Sequence, residues 1–305
     1  MISAFFRKNR LISLTCLALA FILLACSFGL PGSARDTGRA FAEETETDSG
    51  ESTDPVKDES SMPADYTGFW TDGKYYINGV LQTGWRTIGT NKYYFDGSGN
   101  RVTGKRKIGK HSYYFNESGI LKKGRVTTAR VIYFTNKKSG AIYGMRLRAK
   151  VICQRPKLPT GCEIVSWTMM ANYAGVKISK LRAANIMPRS GNPNKGFVGS
   201  PYRSKGGALV VYPPGLMKIT RRYLGKAVNM TGCSLGRLQS KIASGHVVVA
   251  WVRPLDGFTS HTIAVTGYDT KRIYYNDPWT GRAHSMTKKR FNKLWRSHRR
   301  RALSW

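Results

Sequence analysis

The chain has 305 residues, with 50 Lys+Arg against 17 Asp+Glu, a formal net charge of +33, 41% hydrophobic residues and five cysteines. That length leaves room for two modest domains once an N-terminal segment is set aside. The charge would attract polyanions, but no nucleic-acid-binding motif accompanies it and no CxxC or HxxxH pair supports zinc, so neither a nucleic acid nor a metal or other cofactor is expected.

The N-terminus reads as an export signal. Arg7, Lys8 and Arg10 precede the apolar stretch from Leu11 to Leu24, whose shortness and charged flank fit a signal better than a permanent membrane span. Three outcomes stay open. Leu23-Leu24-Ala25-Cys26 resembles a lipobox with Cys26 as the lipidated residue, although Leu24 departs from the usual small or β-branched residue. Ala40-Phe41-Ala42 suits ordinary cleavage, and an uncleaved anchor is the third outcome. Each places the remainder of the chain outside the cytoplasmic membrane, so residues 1–42 are assigned to the signal or anchor.

Residues 43–65 hold nine acidic residues and almost nothing to bury, which is the composition of a disordered linker. From Tyr66 onward the balance reverses, to 44 Lys+Arg against seven acidic residues. Such a field acts over roughly 8 Å at physiological salt. Outside a cell it meets phosphate-rich wall polymers and anionic lipid, so an anionic wall polymer or glycan is the expected partner.

Residues 66–150 carry a repeat. Tyr93-Tyr94-Phe95, Tyr113-Tyr114-Phe115 and Ile132-Tyr133-Phe134 recur at a period of twenty, as do Gly84, Gly104, Gly124 and Gly144. Tyr75-Tyr76 begins a shorter, earlier copy. Each unit reads as an aromatic strand, a turn, a second short strand and a glycine, so the prediction is a solenoid of β-hairpins. The units resemble choline- and glucan-binding wall repeats, which implies attachment to a cell wall. They depart from that pattern in one respect. Gly84-Trp85 supplies an aromatic cage wall once, while Lys105 and Arg125 stand at the equivalent positions. A basic wall repels a quaternary ammonium. The region also has 17 Lys+Arg against three acidic residues, so an anionic ligand is expected in preference to choline.

The second half begins near Val151. Cys162 to Ala174 lacks Gly and Pro and suits a helix, with Ile164, Trp167 or Thr168, and Ala171 on one buried stripe. Residues 190–214 are rich in Gly, Pro, Ser and Asn and read as a long loop. Leu216–Tyr223, Leu235–Ala243 and Lys288–Trp295 read as helices, while Val247–Val252, Ile263–Thr266 and Arg272–Tyr275 read as strands of one sheet.

Three residues in this half carry chemistry by their order and setting. Cys162 follows Leu158-Pro159-Thr160-Gly161 at a helix start, His261 opens an apolar strand, and Asp277 lies in Asn276-Asp277-Pro278 after the next strand. A helix N-terminus lowers a thiol's pKa, an imidazole can relay its proton, and a carboxylate can fix the imidazole's tautomer. Gln154, eight residues before Cys162, can join the Cys162 backbone N–H as an oxyanion donor. Taken singly, each residue also fits an ordinary core or turn position.

Gln154, Leu158-Pro159-Thr160-Gly161-Cys162-Glu163, Gly196-Phe197-Val198-Gly199-Ser200-Pro201-Tyr202, Val211-Tyr212-Pro213-Pro214, Val247-Val248-Val249-Ala250-Trp251, His261-Thr262, Gly267-Tyr268-Asp269 and Asn276-Asp277-Pro278 together resemble a known group. It is the papain-like bacterial cysteine peptidases of the double-glycine leader peptidase-like (C-thirty-nine-like) family. The resemblance implies an α+β fold over residues 151–305, with helices on an antiparallel sheet. It also implies that Cys162, His261, Asp277 and Gln154 take the roles argued above.

No transporter domain follows, so cleavage of export leaders is not expected. The expectation is an exported, envelope-associated cysteine peptidase acting on a peptide or wall-peptide substrate. A peptidoglycan amidase or transpeptidase on the same fold, and a non-catalytic wall-binding or adhesion protein, remain alternatives. His111, His246, His284 and His298 are expected to be structural or solvated. Trp251, Tyr212, Phe197 and Trp279 suit either a substrate groove or the core. Cys153 and Cys233 are expected to be unpaired.

Overall fold

A computed structural model describes residues 61–204 and 209–305. The export segment, Cys26 and nearly all of the acidic stretch lie outside the described residues. Three short strands come first, β1 (Gly68–Phe69), β2 (Tyr75–Ile77) and β3 (Val80–Leu81), in one antiparallel sheet. Two hairpins come next, β4 (Gly84–Ile88) with β5 (Asn91–Phe95), and β6 (Gly104–Ile108) with β7 (His111–Phe115). Successive units touch through aromatic rings. Tyr75 stacks on Phe95 at 6.1 Å, and the edge of Trp85 meets Tyr113 at 4.9 Å. Phe95 and Phe115 are fully buried and Tyr93 nearly so, so each of these Tyr-Tyr-Phe motifs places its Phe in the interior.

The next strands leave that series. β8 (Arg125–Thr127), β9 (Val131–Thr135) and β10 (Ile142–Leu147) are antiparallel neighbours, and β10 pairs with β13 (His261–Tyr268). They therefore belong to the same nine-stranded sheet as the strands of the second half. The boundary expected at residue 150 falls just after a strand of that sheet. Gly144 explains why the sequence period does not separate the two groups. Gly84, Gly104 and Gly124 have φ of 71°, 68° and 81°, where glycine avoids strain. Gly144 stands at a close backbone approach instead. A Cβ there would lie 2.5 Å from Tyr268 O, and one on Gly267, opposite Arg146, would lie 2.4 Å from Met145 O. One spacing thus covers two different physical needs.

The second half supplies α1 (Cys162–Tyr173), α2 (Lys180–Ile186), α3 (Pro213–Leu224), β11 (Val228–Asn229), α4 (Leu235–Ala243), β12 (Val248–Val252), then β13, β14 (Arg272–Asp277), β15 (Arg282–Thr287), α5 (Lys288–Ser297) and β16 (Ala302–Ser304). The sheet runs β11-β16-β12-β13-β10-β9-β8, with β14 pairing β13 and β15. All its pairings are antiparallel. α1 touches β12 and β13 as well as α2 and α3. This is why every residue from Glu163 to Ala171 is buried, in place of the single stripe expected from the sequence.

Helix starts follow local rules. Ser179, Ser234 and Thr287 each accept a hydrogen bond from the backbone N–H three residues on, capping α2, α4 and α5. α3 opens on Pro213-Pro214, which have no N–H to satisfy. α1 has neither device. Its cap is Gly161, with no side-chain hydrogen bond. Lys105 Nζ donates to Ala243 O at 3.2 Å, at the C-terminal end of α4, where a cation is favoured. That residue therefore contacts the second half of the chain as well as solvent.

Candidate active site

Cys162 is the first residue of α1 and is half-buried. Gly161 offers no side-chain cap, so of the first N–H groups of α1 only that of Glu163 meets a side chain, its own carboxyl, and the group carries the helix's partial positive charge. The loop before it is braced by Gln154. Its Nε2 donates to Pro159 O at 2.8 Å, and its backbone N–H donates to Pro278 O at 2.7 Å, beside Asp277. The expected oxyanion donor thus commits one N–H to the loop. Its buried Oε1 has no partner among the described residues.

His261 begins β13 and Asp277 ends β14, two strands that pair directly. His261 Nε2 lies 3.0 Å from Asp277 Oδ1, and the two side chains are 1% and 0% exposed. Asp277 Oδ1 also accepts from Trp279 N at 2.7 Å and from Thr280 N at 3.4 Å. Burial pushes the Asp277 carboxyl up. The hydrogen bonds from His261 and Asp256, the charge of His261 and the Trp279 N–H outweigh burial and hold it well below the usual carboxylate range. Asp277 is therefore an ionised acceptor, so Nε2 carries the hydrogen and a neutral ring leaves Nδ1 as a lone pair. Nδ1 is buried and has no partner among the described residues. Phe258 stacks on the His261 ring at 5.3 Å and 15°, and the edge of Trp279 meets Phe258 at 4.9 Å. Arg155 sits over Trp279 at 4.6 Å and donates to its carbonyl. Aromatic rings thus cover the His261–Asp277 contact.

β13 also links this pair to α1. Ser166 Oγ donates to Thr262 O at 3.0 Å, and the backbone and hydroxyl of Thr262 act on the Cys162 sulfur. The sulfur itself hydrogen-bonds Glu163 Oε2 at 3.2 Å. Burial pushes the Cys162 thiol well above its ordinary value, the Glu163 charge pushes it further, and the Thr262 contacts oppose both. Cys153, Cys162 and Cys233 are all free.

Two site residues were not singled out from the sequence. Glu163 is 1% exposed, and Asp256 is exposed on the loop before β13. A hydrogen bond to Asp277, burial and the Asp277 charge raise the Asp256 carboxyl to about 6. Ligand atoms of Asp256, His261 and Asp277 lie within 4.8 Å of one another. Because Asp277 Oδ1 already faces Nε2, the trio fits a shared proton better than a cation. A signal was available in the composition. From Val151 onward there are only four acidic residues, Glu163, Asp256, Asp269 and Asp277, and three of them gather here.

Of the histidines expected to be structural or solvated, His298 is structural, at 2% exposure. Its ring sits between Ser260 Oγ at 2.8 Å and Arg301 Nη1 at 2.9 Å. Burial, then the charges of Arg301 and Arg253, push it down to about 4, so it stays neutral. Trp251 and Phe197 are fully buried and belong to the core, while Tyr212 and Trp279 keep partial exposure.

The model described as the Peptidase_C39 like family matches residues 146–303, and the one described as a choline-binding repeat matches residues 82–125. The uncharacterized protein YvpB of Bacillus subtilis (strain 168) is 30% identical over 171 residues, covering 46% of this chain and 67% of that protein. A putative C39-like peptidase from Bacillus anthracis of known structure is 29% identical, with a TM-score of 0.48, covering 52% of this chain and 94% of that one. Choline binding protein F from Streptococcus pneumoniae is 35% identical over 25% of this chain and 28% of its own, with a TM-score of 0.23.

Proposed function

We propose that this chain, which belongs to the Peptidase_C39 like family, is an exported, wall-associated cysteine peptidase with Cys162 as nucleophile, His261 as proton relay and Asp277 as the group that orients His261. The observation that carries this is the buried His261–Asp277 contact at 3.0 Å, with Nδ1 unpartnered among the described residues and the next residue, Thr262, bonded by Ser166 of α1 and acting on Cys162. Nδ1 takes the thiol proton and the thiolate attacks the peptide carbonyl carbon. The N–H groups at the start of α1 receive the oxyanion, with Gln154 as second donor. The imidazolium returns its proton to the leaving amine, the C–N bond breaks, and water hydrolyses the resulting thioester. A transpeptidase would differ only in the acceptor.

The test is an electrophilic peptide probe on the purified chain, read by mass spectrometry. Cys162 is the expected site of the adduct. Adducts on Cys153 or Cys233, with hydrolysis intact in Cys162→Ala, would overturn the assignment.

The repeats are read as the wall-targeting module, a hairpin solenoid extending through residue 125, and charge is read as the main source of its affinity. Its aromatic faces are already occupied by the chain's own cations. Lys92 Nζ lies 4.8 Å from the Trp85 ring, and the Arg101 guanidinium lies 5.4 Å from Phe69. A choline headgroup would have to displace them. Cutting at residue 150 would remove β8–β10 from the sheet, so binding is measured on the whole chain. Retention on isolated walls is expected to fall steeply as salt rises, because exposed charge pairs are screened. It should also fall when phosphate polymers are stripped. Elution by free choline at constant salt would establish the cage and overturn the charge reading. Recovery of the native protein in the cytosol, not the wall or medium, would overturn export by residues 1–42.

A further inference from the structure

Glu163 has no part in the triad chemistry, yet it touches the reacting atom. Its Oε2 lies 3.2 Å from Cys162 Sγ. It is 1% exposed on the first turn of a helix buried on all sides. Residues 151–305 hold 27 Lys+Arg and four acidic residues, so a cation for a buried carboxylate would be easy to supply. None acts on Glu163. The groups that do are the Cys162 thiol from α1, Glu163's own backbone N–H, and the N–H of Val211 from the segment before α3. Burying an unpaired carboxylate costs several kcal/mol, and Gln or Leu would fill such a site at less cost. A carboxyl kept here beside a nucleophile has a use as a carrier of a proton.

We propose that Glu163 is the proton-holding partner of Cys162: neutral, it donates a hydrogen bond to the thiolate; ionised, it repels the thiolate and leaves the proton on sulfur. The inference rests on Cys162 as nucleophile. In the active form the sulfur is a thiolate, His261 carries the proton taken from it, and Glu163 keeps its own proton through attack and acyl transfer. The Sγ–C bond forms, the C–N bond breaks and the imidazolium proton goes to the amine, with no net change at Glu163. Once Glu163 ionises, a thiolate would sit beside a second anion with no cation between them. The thiol then donates to Glu163 Oε2 instead, and the nucleophile is lost. On β13, Thr262 lies close enough to act on the sulfur, and His261 is its neighbour in the chain, which the proposed mechanism makes the thiolate's charge partner. Burial pushes the Glu163 carboxyl up to about 7, against the lowering effect of the thiol and the two backbone N–H groups. The exchange between forms therefore falls near neutral pH.

The experiment is alkylation of the full-length protein by iodoacetamide from pH 5 to 10, with the adduct at Cys162 quantified by mass spectrometry. In the wild type, the rate at Cys162 is expected to level off or fall through neutral pH before rising again. In Glu163→Gln, the carboxamide keeps an N–H donor at the same place without the charge. Its curve is expected to rise smoothly and to exceed the wild type about tenfold or more at pH 8.5, because a neighbouring like charge shifts a pKa by one unit or more. Superimposable curves would overturn the proposal. If Glu163→Gln does not fold, as judged by circular dichroism, the infrared band of the protonated carboxyl is followed in wild type and Cys162→Ala. The midpoint is expected to shift in Cys162→Ala, which removes the sulfur that Glu163 bonds in both forms; an unchanged midpoint would overturn the proposal. Alkylation needs no peptide turnover. A chain that cleaves no peptide yet shows the Glu163-dependent curve refutes the peptidase reading alone. A chain that cleaves peptides with identical curves refutes the pairing alone.

Discussion

Hydrolysis of a quenched peptide library is expected to vanish in Cys162→Ala and to fall about 100- to 10,000-fold in His261→Ala. On the proposed mechanism, the first removes the nucleophile that forms the acyl-enzyme. The second removes the base that makes the thiolate and the acid that protonates the leaving amine. His261 would also carry more than ordinary acid–base help on that mechanism, since its imidazolium is the cation that stabilises a thiolate whose pKa burial has pushed up. Asp277→Asn tests the remaining link. An Asn can donate N–H toward Nε2, which would leave the hydrogen on Nδ1, the nitrogen that must accept the thiol proton. Its loss is expected to be at least about 100-fold with the fold retained. Rates of the full-length variants, with circular dichroism as the check on folding, decide this. Activity of His261→Ala within a few-fold of wild type would refute His261 as relay. Covered by Phe258 and Trp279, the His261–Asp277 pair is shielded from water, so its contribution should change little with salt.

The elements that were legible in the sequence are those whose signal is local. α4 runs over Leu235–Ala243, as its apolar spacing indicates, and α1 begins at Cys162 where Gly and Pro stop. The strands carrying His261 and Asp277 were found by their β-branched and aromatic runs, although each extends beyond the expected ends. What was not legible depends on distant partners. β16 has three residues, and β12 and β11 flank it from far away in sequence. β15 is a polar run whose pairing with β14 makes it a strand. β8–β10 look like a further repeat because their aromatic spacing is the same, and only β13 distinguishes them. Glu163 sat in plain view beside Cys162, but its burial arises from α1 being enclosed by the sheet, α2 and α3. No pattern within α1 records that enclosure. The composition offers a pointer, since Glu163 is one of only four acidic residues from Val151 onward.

Trp251→Ala is expected to lower stability by about 3–5 kcal/mol, the cost of emptying a fully buried aromatic site. For a folded unit of this size that corresponds to a fall in Tm of about 6–20 °C. Trp251 lies on β12, between β16 and β13, and its Nε1 donates to Val211 O at 2.9 Å. The ring therefore fixes the strand beside His261 and also the backbone segment whose N–H acts on Glu163. Trp251→Phe separates these two contributions. It keeps most of the buried ring but leaves the Val211 carbonyl without its donor, at a cost of about 1–3 kcal/mol if no water replaces it. If Trp251 serves the core, both variants lower Tm in that order, and residual peptide hydrolysis below the transition keeps a near-normal KM. A groove residue would behave in the opposite way, with Tm unchanged and KM raised. Thermal unfolding and KM measured on the same preparations distinguish the two, and a rise in KM at unchanged Tm would return Trp251 to the substrate groove.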